Sequence, residues 1–180
     1  MQSLDLNLQQ NFFQLFGLHE QFRLESVFLD EQYHSLQIQV HPDKVAHLSE
    51  AEKRVSMQLA TRVNEAYQTL RNPVRRARYL LSLHGVDTQE ETNTSMPMSF
   101  LMEQMEWREA VEEAQHAADV DQLEQLESRL QREVSSLHKL LEVKIDDERS
   151  YFAAAEAVRK LKFMEKLAEE ISSAFDVIDV

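Results

Sequence analysis

Seven histidines and thirty-two carboxylates are the side chains that could do chemistry in this chain. Imidazole titrates near neutral pH, binds metals and moves protons. His34, His41, Asp43 and His47 lie close enough along the chain to suggest a metal-dependent or histidine-based enzyme. Their spacing argues against it. His34 and His41 are two helical turns apart, and no two histidines stand at i, i+4, so no helix face offers the two-ligand start of a zinc site. His138-Lys139 is the pair to weigh for phosphoryl transfer, yet His138 adjoins the apolar Leu137 and has no glycine nearby to admit a phosphodonor. With no cysteine present, disulfides, thiolate metal sites and a cysteine nucleophile are excluded. The expectation is a chain with no catalytic residue, no metal and no cofactor.

What is left is the run His41-Pro42-Asp43-Lys44. Pro42 biases His41 away from helical geometry and cannot donate a backbone hydrogen bond, so a preceding helix must stop there. Asp43 then sits on a stiff turn as a carboxylate suited to a charge-assisted pair with a partner's arginine. Two elements must hold that turn. From Glu25 to Val40 the residues Leu29, Tyr33, Leu36 and Val40 follow the spacing of one buried helical stripe. A second stripe begins at Ser49, able to form a capping box with Glu52, and runs through Val55, Leu59, Val63, Ala66 and Leu70. Two facing stripes joined by a short loop predict an antiparallel helical hairpin with His41, Pro42 and Asp43 exposed at its tip.

Around the hairpin the punctuation is sparse. Two glycines and three prolines fall between the helical patterns, at Gly17, Pro42, Pro73, Gly85 and Pro97. Asn11 to Phe16 reads as a short helix whose aromatics pack on the hairpin. Asn72 and Pro73 are a good cap and first residue for a helix carrying Val74, Ala77, Leu80, Leu81 and Leu83 inward and Arg71, Arg75, Arg76 and Arg78 toward solvent. From Val86 to Ser99 the composition turns polar, which predicts a linker over 86–98 between domains at 1–85 and 99–180. The fold class expected is all-α.

Charge divides the chain in the same place. Residues 1–84 hold nine acidic and nine basic side chains, so the whole excess behind the net charge of −13 lies in residues 85–180. An acidic surface of that size repels phosphate, which argues against nucleic acid and against a membrane role for the arginine cluster. No run is long enough to span a bilayer, and Met1 to Gln10 has neither the charge nor the apolar stretch of a leader. Zero cysteines suit a reducing compartment, and the expected localisation is cytoplasmic.

Past the linker, three amphipathic segments at about 99–117, 120–146 and 150–177 predict an antiparallel three-helix bundle. The middle one repeats Leu123, Leu126, Leu130, Val134, Leu137 and Leu141, with Asp119 or Asp121 as its cap and Ser150 as cap for the last. The first segment is unusual. Phe100, Trp107, Val111 and Ala114 fall within an arc of about 60°, whereas Leu101, Met102, Met105, Glu106, Glu109 and Glu113 span a separate arc of about 140°. A second apolar patch beside a strip of glutamates is either a surface for a basic partner or a face packed internally; periodicity leaves both open.

The motifs carry a resemblance. His41-Pro42-Asp43-Lys44, the block Val63-Asn64-Glu65-Ala66-Tyr67-Gln68-Thr69-Leu70 and Asn72-Pro73 resemble a J-domain. Phe12-Phe13-Gln14-Leu15-Phe16-Gly17-Leu18, the stretch Arg76 to Gly85, Phe100-Leu101-Met102-Glu103-Gln104 and Val158-Arg159-Lys160-Leu161-Lys162-Phe163 extend it end to end to the bacterial iron-sulfur cluster co-chaperones of the HscB family. That resemblance implies an N-terminal J-domain, and a C-terminal three-helix bundle that binds the cluster scaffold protein, IscU. It implies that Leu101, Met102, Met105, Glu106, Glu109, Glu113 and Phe163 form the scaffold-binding face. It also implies that His41, Pro42, Asp43 and Lys44 engage a DnaK-type ATPase chaperone, HscA. One feature departs from J-domains in general: Glu25 to Val40 holds no lysine or arginine, only His34, which leaves Lys44, Lys53, Arg54 and Arg62 to meet an acidic ATPase surface. A J-domain co-chaperone serving another client is the nearest alternative.

Overall fold

The computed structural model describes residues 7–41, 49–88 and 97–178, and every regular element among them is helical. The chain divides into two compact units, Met1–Leu83 and His84–Val180.

In the first unit α1 spans Phe12–Leu15, α2 Ser26–Gln39, α3 Glu50–Arg71 and α4 Pro73–Leu83. Asn11 and Gln14 close a capping box around α1, and Gly17, with φ 64°, takes the left-handed turn that ends it. Phe13, Leu15 and Phe16 are fully buried with Leu29, Leu36, Val63, Ala66, Leu70, Ala77, Leu80 and Leu81, one core shared by all four helices. The hairpin of α2 and α3 forms as its two stripes require, with one substitution. Val55 is 46% exposed, and Ser56 takes the stripe position, its hydroxyl donating to the Val40 carbonyl at 3.4 Å. The end of α2 leaves that carbonyl without a helical partner, so a small hydroxyl there is worth more than an aliphatic side chain.

Arginines are less solvated than their clustering suggests. Arg76 is buried, donates from Nη1 to the Leu70 carbonyl at 2.8 Å and lies 4.9 Å over the Phe22 ring. It ties the end of α3 to the loop before α2. Leu83, expected inside, is instead exposed at the last turn of α4.

In the second unit α5 spans Met98–His116, α6 Val120–Leu141 and α7 Tyr151–Ile178, with a π-helical segment, Glu142–Asp147, closing α6. Asp119 caps α6, accepting from the Gln122 N–H at 2.9 Å. Leu123, Leu126, Leu130, Leu137 and Leu141 are buried as their spacing requires, while Val134 is only half-buried. The α-helix expected to run to 146 widens at 142, where the π turn still brings Ile145 into the core. No glycine marks either turn of the bundle: Ala118 and Arg149 both adopt φ 52°. Residues 89–96, the centre of the expected linker, lie outside the described residues. At its start Val86 and Thr88 are buried, with Arg159 Nη1 donating to the Thr88 carbonyl at 3.3 Å, and at its end Met98 already opens α5. No helix among the described residues is long and apolar enough to cross a membrane.

Candidate partner-binding surfaces

His41 is exposed immediately beyond α2, where the Val40 N–H still bonds to the Leu36 carbonyl. Pro42, Asp43 and Lys44 lie outside the described residues, as does His47. The described residues on either side of this stretch are held. On one side Val40 is buried and bonded to Ser56; on the other Ser49 and Glu52 form the expected capping box, with the Ser49 N–H donating to Glu52 Oε2 at 2.9 Å. Glu50 and Glu52 in the first turn suit the positive end of the helix dipole.

A polar staple crosses the hairpin between α2 and α3. Tyr33 and Tyr67 stack at 3.9 Å between ring centroids and 10° between planes. The Tyr67 hydroxyl donates to Asp30 Oδ1 at 2.8 Å and accepts from Arg71 Nη1 at 2.7 Å. The Tyr33 hydroxyl donates to Asn64 Oδ1 at 2.9 Å and accepts from Gln37 Nε2 at 2.6 Å. Its bond to the Asp30 carboxylate, helped by desolvation, pushes the Tyr67 phenol above its ordinary value, because the neutral form is the one that can donate. Tyr33 was expected in the apolar stripe; only its ring is used that way. The block around Asn64 and Tyr67 thus sets the pairing of α2 with α3 rather than supplying a reactive group.

The basic residues of α3 divide by role. Arg54 is exposed, Lys53 pairs with Glu50 at 2.9 Å, and Arg62 is drawn inward, bonded to the Gln10 carbonyl and lying 5.3 Å over the Phe12 ring. Arg62 therefore anchors the segment leading into α1, and α3 offers less free positive charge than its composition suggests.

In the second unit α5 is two-sided. Phe100, Trp107, Val111 and Ala114 are buried, and Trp107 lies under the Arg129 guanidinium at 4.1 Å. Leu101, Met102 and Met105 are 40%, 57% and 70% exposed, and Glu106, Glu109 and Glu113 are exposed with them. Met98, 70% exposed, belongs to the same arc and was missed because the helix starts one residue earlier than its periodicity suggested. Phe163 departs from the rest. It was expected on this face, but it is 7% exposed, packed edge-on against Phe100 at 5.8 Å and covered by the Arg108 guanidinium at 5.8 Å. Arg108 is held there by Glu170 on α7 at 3.7 Å. Phe163 supports α5 from α7 and presents almost no surface itself.

His138 lines a groove between α6 and α7 with Val134, Ile171 and Phe175, and no group of three His, Asp or Glu among the described residues could hold a metal ion.

A helical hairpin with His41 just beyond its first helix, followed in sequence by a separate three-helix bundle, defines a J-domain protein with an added C-terminal domain, and the family comparisons agree. The DnaJ domain matches residues 11–79, and the domain described as the HSCB C-terminal oligomerisation domain matches residues 96–172. The co-chaperone protein HscB homolog of Azoarcus sp. is 52% identical over 174 residues, covering 97% of this chain and 98% of its own. That of Chromobacterium violaceum is 53% identical over 170 residues, covering 94% and 96%. Among solved structures, chaperone HscB from Vibrio cholerae superposes with a TM-score of 0.82 at 38% identity, covering 93% of this chain and 98% of its own. Human co-chaperone HscB gives 0.85 at 30%, covering 92% and 82%. The chain belongs to the HscB family of J-domain co-chaperones.

Proposed function

We propose that this protein is an adaptor in iron-sulfur cluster biogenesis, stimulating the ATPase of a DnaK-type chaperone, HscA, and delivering the scaffold protein IscU to it. The observation that carries the delivery half is the outward face of α5, where Leu101, Met102 and Met105 stand exposed opposite a complete core stripe. A bundle helix needs only one buried stripe, and an exposed apolar patch beside glutamates fits a partner with apolar and basic groups. Methionine adapts its shape to such a partner at little strain. Phe163 acts behind this face as its support.

In the first unit His41, Pro42, Asp43 and Lys44 engage the ATPase. Asp43 pairs with an arginine of the chaperone, and binding favours the hydrolysis-competent state by being tighter to it than to the resting state. The protein makes and breaks no covalent bond in this role. Holding the scaffold while touching the ATPase raises the local concentration of client at the chaperone's substrate site. The work takes place in the cytoplasm, the reducing compartment that a cysteine-free chain suits.

Phosphate release by the ATPase, followed with this protein and the scaffold added singly and together, tests the reading. Each should stimulate, and together they should exceed the sum of their separate effects. Simple additivity would contradict delivery.

A further inference from the structure

Four of the seven methionines, Met96, Met98, Met102 and Met105, fall within ten residues of chain. Met96 lies outside the described residues. Met98, Met102 and Met105 stand at i, i+4 and i+7 on one stripe of α5 and are 70%, 57% and 70% exposed. Met164 in the bundle core is 2% exposed, and among the described residues the other exposed methionine, Met57, is on α3 of the first unit. Exposed thioethers are oxidised readily, and this chain has no cysteine to intercept an oxidant first.

We propose that Met98, Met102 and Met105 form a reversible oxidation site whose substrate class is a hydroperoxide, and that its oxidation switches off the partner face of α5. The inference rests on the reading of that face as the scaffold-binding surface. A lone pair on the methionine Sδ attacks one oxygen of hydrogen peroxide, the O–O bond breaks and an S–O bond forms. Sulfur loses two electrons, the peroxide is reduced, and the departing hydroxide takes up the remaining peroxide proton and leaves as water. The reverse step consumes a dithiol: the sulfoxide oxygen leaves as water, and the dithiol becomes a disulfide.

The product replaces a flexible apolar side chain by a polar one whose oxygen bears partial negative charge. On this stripe that oxygen falls beside Glu106 and Glu109, which are acceptors and offer it no proton. Covering it with an apolar partner group would strand a polar atom, so the oxidised face releases its partner.

Full-length protein treated with hydrogen peroxide, and cleared of it before the scaffold is added, provides the test. Peptide mass spectrometry should find sulfoxide at Met98, Met102 and Met105 well before Met164, and affinity for the scaffold should fall about tenfold or more. A methionine sulfoxide reductase with a dithiol should restore it. The result is read as the ratio of treated to untreated affinity. In the Met98→Leu, Met102→Leu, Met105→Leu triple variant that ratio should stay near one whatever its starting affinity, and in Met57→Leu it should fall as in the parent. Sulfoxide on the stripe with unchanged affinity overturns the switch, as does a fall that persists in the triple variant. Untreated protein that fails to bind the scaffold overturns the reading of the face itself, and the switch with it.

Discussion

Arg76 and Arg75 are neighbours with opposite fates, and the difference is open to measurement. Arg76 donates into the end of α3 and lies against Phe22, whereas Arg75 is exposed on α4. Arg76→Ala should lower stability to denaturant by about 1 to 3 kcal/mol by leaving the buried Leu70 carbonyl without that donor. Arg75→Ala should stay within about 0.5 kcal/mol of the parent. Tyr67 supplies a pH test. Its phenol is raised by the bond to Asp30, so the stabilisation is complete below the ordinary phenol range and is lost as pH climbs through the raised value. Ultraviolet titration of tyrosinate should show a late component that Tyr67→Phe removes and Asp30→Ala shifts downward. A component removed by Tyr67→Phe at the ordinary phenol range would contradict the assignment. These roles were the least legible in the sequence. Arg62 and Arg76 read as surface charge because a guanidinium is polar by type, and only the tertiary arrangement puts carbonyls and rings beside it. Ser56 was passed over for Val55 because hydrophobic periodicity does not register an orphaned carbonyl.

The helices themselves were far more legible. Strong periodicity, the capping box at Ser49 and the Asn72-Pro73 start locate α3, α4, α6 and α7 to within a few residues, because each depends on local chemistry. The end of α6 did not follow, since neither a π turn nor left-handed Ala118 and Arg149 has a composition that announces it. On α5 both arcs were visible, and the exposures of Met102 and Met105 separate them. Phe163, carried to this face by the resemblance, is 7% exposed and packs edge-on against Phe100, a burial that the spacing of α5 alone does not announce. The two roles give different variants. Phe163→Ala should cost about 3 to 5 kcal/mol in stability and weaken scaffold binding through the loosened α5. Met105→Ala should weaken binding with stability within about 0.5 kcal/mol of the parent. Thermal unfolding and scaffold titration on the same samples distinguish them, and a Phe163→Ala protein of unchanged stability would contradict its supporting role.

Across the whole molecule the charge asymmetry and the two compact units agree with a division of labour. The neutral first half holds the hairpin, and the acidic second half holds the face proposed for a basic and apolar client. Fold class followed from composition and periodicity; the partners did not, because an exposed patch names the chemistry of what it binds and not the molecule. The most direct test of the account compares Asp43→Ala with the Met102→Ala, Met105→Ala pair in one assay of ATPase stimulation and scaffold binding. Asp43→Ala should abolish stimulation and leave scaffold affinity unchanged, and the methionine pair should lose scaffold affinity while still stimulating the ATPase when no scaffold is present. If either variant lost both activities while folded, the two functions would not be separable, and the adaptor account would fail.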